Sequence, residues 1–360
     1  MKHTLQPLLL VAALAATASA QLPVRDLVPA DSKFVFAFDL QATLDLLGRD
    51  LIRDGIVRRV RAEAGGHLKD DWDEVFVKEW GFDPFVDLKG FMLFGDKGPH
   101  DGATVAVITT SRIDATLERL RDVGALEASE EGGVEVMQIV PGKVLSLFGM
   151  DDEMEDADKP IGCLYVHRFG GRNGTGRALV LGEKSDAVHR AAKAMRAGDT
   201  LGKGQGRLAA STREGDLVYV DVDAAMAELL GDNPASKLTS KARRLTLQVG
   251  QTDDQLTLRA VVVTAEEKDA RQIAALVNGL KALLALADPS EEMPKPAYDA
   301  LMDAQAKADG NTVVLEVSVP KSLLDEARRE IRRELGDGDV EASDAPRKRK
   351  AESRRERAIR

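Results

Sequence analysis

The sequence predicts an α+β fold of two related halves, with largely antiparallel sheets and helices packed on one face. Three observations predict it. First, the chain repeats itself: FVFAFDLQATLDLL (Phe34 to Leu47) returns as LVYVDVDAAMAELL (Leu217 to Leu230), and VITTSRIDA (Val107 to Ala115) returns as VVTAEEKDA (Val262 to Ala270). Second, each echo joins a strand pattern to a helix pattern, in the same order. Third, hairpin patterns are interspersed with helices, which is neither a strict strand–helix alternation nor an all-β order.

The elements follow in order. Leu8 to Ala16 is an apolar run of nine residues behind Lys2, too short to span a bilayer. Ala18-Ser19-Ala20 supplies a small-residue cleavage pattern, so residues 1–20 read as a signal peptide and the mature chain starts at Gln21. Phe34, Phe36 and Phe38 alternate with Val35 and Ala37, which predicts a strand from Asp31 to Asp39. Leu44, Leu47, Leu51, Val57 and Val60 then recur at helical spacing through Leu40–Ala64, with Gly55 as a possible interruption. A second helix is predicted over Asp71–Trp80, stopped by Gly81 and Pro84.

Strands are predicted at Phe91–Phe94 and Ala103–Thr109, and a helix at Arg112–Asp122 closed by Gly124. Val134–Val140 and Val144–Phe148 read as a hairpin around Pro141-Gly142-Lys143. Beyond the acidic run Asp151–Asp158, strands Cys163–Phe169 and Ala178–Leu181 flank GGRNGTGR, and a helix spans Asp186–Ala197. Gly198 to Gly215, rich in Gly, Ser and Thr, reads as the connection between two domains, 21–200 and 201–336. The second half reads as strand Leu217–Val220, helix Ala224–Leu230, hairpin Leu245–Val249 with Leu256–Val263, and helix Glu266–Leu286. Helix Ala297–Ala308, strand Thr312–Val319 and a helix striped by Leu324, Ala327, Ile331 and Leu335 complete it. Residues 337–360 form a polar tail of disordered composition.

Charge and cysteine usage bound the function. The net charge of −10 divides into +1 at Lys2, +6 over Pro346–Arg360 and −17 over Gln21–Ala345. So acidic a body excludes a general nucleic-acid binder, and no specific nucleic-acid motif occurs. The tail presents Arg347, Lys348, Arg349, Lys350, Arg354 and Arg355, a block suited to an anionic polymer or membrane surface. Cys163 is the single cysteine, so an exported chain of this kind has no internal disulfide and packing must stabilise it.

Candidate chemistry is sparse. Asp39 and Asp221 stand near the ends of the repeated strands. As a pair brought together by pseudo-symmetry they would suit acid/base catalysis in a cryptic hydrolase. As single residues each would cap the following helix, the stronger expectation for Asp in that place. Thr264-x-x-Glu267 fits a capping box and Ser111-x-x-Asp114 a looser one. In GGRNGTGR the glycines free backbone N–H groups, and Arg172, Asn173 and Arg177 could hold an anion. The loop lacks GK[ST] and precedes a strand, so it is no phosphate-binding fingerprint and a plain hairpin loop is the stronger reading. Asn173-Gly174-Thr175 is a sequon that matters only in a eukaryotic secretory pathway. The acidic run lacks the glycine and terminal glutamate of a calcium loop. His3, His67, His100, His167 and His189 show no zinc-ligand spacing, and no GxSxG or SxxK occurs. No metal or cofactor is therefore expected.

VPADSKFVFAFDL, then GFDPFVDLKGFMLFG, then the strand and helix of VITTSRIDA, resemble a loose group of exported bacterial proteins of unknown function. The resemblance implies an exported, duplicated α+β protein, and it carries over no functional residues. The expectation is a periplasmic or extracellular, non-catalytic binding or envelope-associated protein. Self-association through uncovered strand edges is a further expectation.

Overall fold

The computed structural model describes residues 22–63, 77–96, 102–131, 133–146, 159–171, 174–202, 216–223, 241–251, 255–284, 295–325 and 329. The signal segment, the two arginine-loop residues Arg172 and Asn173, helix Ala224–Leu230, the acidic run Asp151–Asp158 and the basic tail lie outside them, as do most of helix Asp71–Trp80 and of the final helix.

The fold is α+β, built on one large antiparallel sheet. Its strands are β1 (Phe34–Asp39), β2 (Leu88–Gly95), β3 (Thr104–Thr110), β4 (Leu126–Glu131), β5 (Val134–Ile139), β6 (Gly162–Gly171), β7 (Gly174–Gly182), β8 (Asp216–Asp223), β9 (Ala242–Gln251), β10 (Gln255–Thr264), β11 (Ala306–Asp309) and β12 (Thr312–Pro320). They lie in the order β11-β12-β10-β9-β8-β1-β2-β3-β7-β6-β5-β4. Strands of the two repeats thus meet directly where β1 pairs with β8.

That order is two-fold about the β1–β8 seam. Phe36 faces Val220 there, with Phe34 on Val222 and Phe38 on Val218. Following the register outward places β2 opposite β9, β3 opposite β10 and β7 opposite β12. It also brings Val107 onto Val262, as the second sequence echo does. Both of those strands run into a helix on the same face: α5 (Ile113–Asp122) after β3 and α8 (Glu267–Leu284) after β10.

Alternation along each strand separates two faces. Face A carries Phe36, Phe38, Leu164, Leu179, Val218, Val249, Leu258 and Val313, and helices pack along its whole width. Over its centre lies α2 (Leu40–Leu47) through Ala42, Leu46 and Leu47. Ile113 and Leu117 of α5 cover one end, and Ala270, Ile273 and Ala274 of α8 the other. Face B is apolar on the first repeat, with Val35, Ala37, Met92, Phe94, Ala106, Ile108, Cys163, Tyr165, Ala178 and Val180. It is covered there by α1 (Val24–Leu27) and by α7 (Ser185–Ala197), whose Val188, Ala191, Ala192 and Met195 form one stripe. Gly198 closes α7 in the left-handed conformation that glycine adopts without strain.

Several elements depart from the sequence reading. The helix expected over Leu40–Ala64 breaks at Gly48, whose φ of 96° is open to glycine; α3 (Arg49–Glu63) then runs straight through Gly55, and a single turn, α4 (Pro84–Asp87), leads into β2. The expected second strand of the Pro141 hairpin is instead α6 (Pro141–Ser146), because proline at a helix start presets φ and loses no useful N–H. The partner of β5 is β4, a strand the charged residues of LEASEE concealed. The helix expected over Ala297–Ala308 is α9 (Lys295–Asp303) followed by β11. Neither capping box forms. Thr264 donates its hydroxyl proton toward Glu266 O and Asn311 O, tying β10 to the turn before β12, and the Asp114 carboxylate is taken by Arg177.

Candidate functional site

The repeated strands present two buried carboxylates, and they do not form a pair. Asp39 ends β1 and accepts the Ala42 N–H at 2.9 Å, while Thr43 Oγ1 donates to its carbonyl at 2.8 Å, so it caps α2. Asp221 sits inside β8, opposite Val35 of β1. Four residues along β1, roughly 13 Å, separate that point from Asp39. The two-fold explains the mismatch. The seam register maps Asp39 onto Asp223 and Ala37 onto Asp221, one residue away from the ungapped sequence echo.

Asp221 therefore has a different job. The Arg244 guanidinium on β9 grips it through Nε and Nη2, and Tyr219 Oη donates to it at 3.0 Å. Its side chain is 0 % exposed and that of Arg244 17 % exposed. Burial pushes the carboxyl of Asp221 up, and the bonds to Arg244 and then Tyr219 pull it back. Among the described residues Asp39 meets no such cation at salt-bridge distance. Burial raises it to about 6, against the opposing pull of the Ala42 and Gln41 N–H groups.

Asp221 belongs to a polar patch on face B of the second repeat. Gln248 of β9 donates to Asp216 at 2.9 Å, and Arg259 of β10 donates to Gln248 at 3.3 Å and stands 3.9 Å from Glu316 of β12. Tyr219, Gln248, Arg259 and Glu316 are register neighbours, so they make one cross-strand row over β8, β9, β10 and β12. Arg244, Gln248 and Arg259 escaped the sequence reading. Their signal was present: each alternates with Leu245, Leu247, Val249 or Leu258, but alternation alone reads as an ordinary wet face.

The glycine loop is the turn of the β6–β7 hairpin, and Gly171 pairs with Gly174. Of its expected anion ligands, Arg172 and Asn173 lie outside the described residues. Arg177 does not face an open loop. It lies buried in β7, where Nε donates to Asp114 Oδ1 at 2.8 Å and Nη1 to Gly176 O at 3.1 Å. The same pair holds Asp114 below the ordinary carboxylate range. Arg177 is thus a bolt between β7 and the start of α5, and its anion is internal.

Cys163 is buried in the face B core. His167, two residues past Tyr165, lies 3.4 Å from its hydroxyl, and burial lowers its proton affinity. Among the described residues no three His, Cys, Asp or Glu gather as a metal site. Among them too, no helix is long and apolar enough to cross a membrane. The hollow lined by Ser32, Asp96, Thr104 and Arg190 holds about 20 Å³, the room of about one water.

No family model and no curated protein matches the chain. Among solved structures, crystal forms I, III and IV of TP0453 align with 86 % of this chain and 98–100 % of theirs. The identity is 7–8 % and the TM-score 0.36–0.39, a likeness that carries no argument about either fold or activity.

Proposed function

We propose that this is an exported, non-catalytic binding protein associated with the cell envelope, and that its C-terminal tail makes the contact with an anionic surface. The charge division supports the reading: a +6 segment over Pro346–Arg360 follows a body of −17. The body's own distinctive charges are spent inside it. Asp39 caps a helix, Arg177 holds Asp114 and Arg244 holds Asp221. A basic residue near an anionic membrane contributes about 1 kcal/mol, so eight Lys/Arg can tether a protein the body would otherwise repel.

The test is co-sedimentation of the mature protein, with and without Pro346–Arg360, on phosphatidylglycerol and phosphatidylcholine vesicles. The intact chain should bind only the anionic vesicles and release in moderate salt, as screening demands. Equal retention of the shortened chain removes the tail from the function.

A further inference from the structure

Two arginines inside the sheet spend their guanidinium in the same way. Arg177 turns its side-on edge, Nε and Nη2, onto Asp114 at 2.8 and 2.5 Å, and Arg244 turns the same edge onto Asp221. Arg259, in the middle of β10, does not. Its Nη1 donates to Gln248 Oε1 at 3.3 Å, while its Nε is buried with no hydrogen-bond partner among the described residues. The Glu316 carboxylate stands 3.9 Å from that Nε, beyond hydrogen-bond reach. A buried donor left in this state is costly, and in a native fold it calls for a partner.

The row that holds Arg259 opens outward. It runs from buried Tyr219 and Gln248 to Arg259 and Glu316, whose side chains are 19 % and 45 % exposed. Its two-fold mate in the first repeat is Val35, Phe94 and Thr104. That row lies under α7, whose Ala187 and Ala191 line the same small hollow as Phe94 and Thr104. The chain after β12 does not repeat the cover, because Leu324 joins Leu46 and Leu256 on face A. Thr257 and Ser318, paired across β10 and β12, continue the polar surface one step along the strands.

We propose that Arg259 anchors a ligand site on face B of the second repeat, and that the site takes a carboxylate. The empty edge is planar and offers two parallel N–H groups at the spacing of carboxylate oxygens, the geometry that Arg177 and Arg244 satisfy internally. Gln248 is itself fixed by its bond to Asp216 at 2.9 Å, and by accepting from Nη1 it sets the plane of the guanidinium. Glu316 guards the edge without closing on it, and the ligand displaces it toward solvent. The site belongs to the body and stands independently of the basic tail.

The test is NMR of the mature protein labelled with ¹⁵N at arginine, the Arg259 Nε–Hε signal being identified by its loss in Arg259→Lys. Sodium acetate, titrated against sodium chloride at equal ionic strength, should shift that signal saturably and leave those of Arg177 and Arg244 in place. Glu316→Gln removes a competing charge and should reach half-saturation at roughly tenfold lower acetate. A capped peptide with one internal glutamate, acetyl-Gly-Glu-Gly-amide, separates the sources of the carboxylate. Binding tighter than acetate assigns the site to an acidic side chain of a partner protein, and weaker binding assigns it to a free small carboxylate. An acetate shift no larger than that of chloride, in both the unaltered chain and Glu316→Gln, overturns the site. So does an Arg259 signal that moves in Glu316→Gln before any acetate is added and then ignores it, because Glu316 would itself be the occupant of the edge.

Discussion

Face B of the first repeat and face B of the second are related by the same two-fold, yet one is greasy and the other ionic. Over β2, β3 and β7 it carries Met92, Phe94, Ala106, Ile108 and Val180 beneath α7. Over β8, β9 and β10 the corresponding rows carry Tyr219, Asp221, Thr246, Gln248 and Arg259. Face A shows no such split: helices α2, α5 and α8 meet aliphatic strands across both repeats. A pleated sheet can keep its scaffold on one face while the other is free to vary. Alternation makes the two faces independent sets of side chains on a shared backbone.

Breaking the ionic half should give the largest effect. Arg244→Ala strips the fully buried Asp221 carboxyl of its cation, and should cost about 3–5 kcal/mol in urea unfolding at pH 7. In the greasy half, Met92→Ala opens a cavity in the face B core and should cost about 2–5 kcal/mol by the same measurement, with no dependence on pH. The sharpest contrast is the smallest change. Asp221→Leu combined with Arg244→Met makes the second repeat resemble the first, and should be neutral or stabilising by about 1–4 kcal/mol, because desolvation cancels much of what a buried ion pair gains. A double variant as unstable as Arg244→Ala would mean that the patch is held for shape rather than charge balance.

Much of the scaffold was legible. The three phenylalanines of β1, the stripe of α7 and the glycine after it gave period and boundary together. The second echo placed α5 and α8 correctly because strand, polar turn and helix recur there without an insertion. Legibility failed where residue type and environment disagree. The charged residues of LEASEE hid β4, an edge strand of the sheet. Gly48 and Gly55 look alike in the sequence, and only the chain's turn into α3 shows which one needs a positive φ.

The sequence by itself determined the α+β class, the duplication and the charge division between body and tail, because period and composition are properties of the chain. Tertiary structure alone decided the partners. It put Arg177 on Asp114, 63 residues away, and Arg244 on Asp221. It also moved the symmetry mate of Asp39 from Asp221 to Asp223. The reason is register: strand pairing decides which residues lie alongside one another, and no local pattern records which strand that will be.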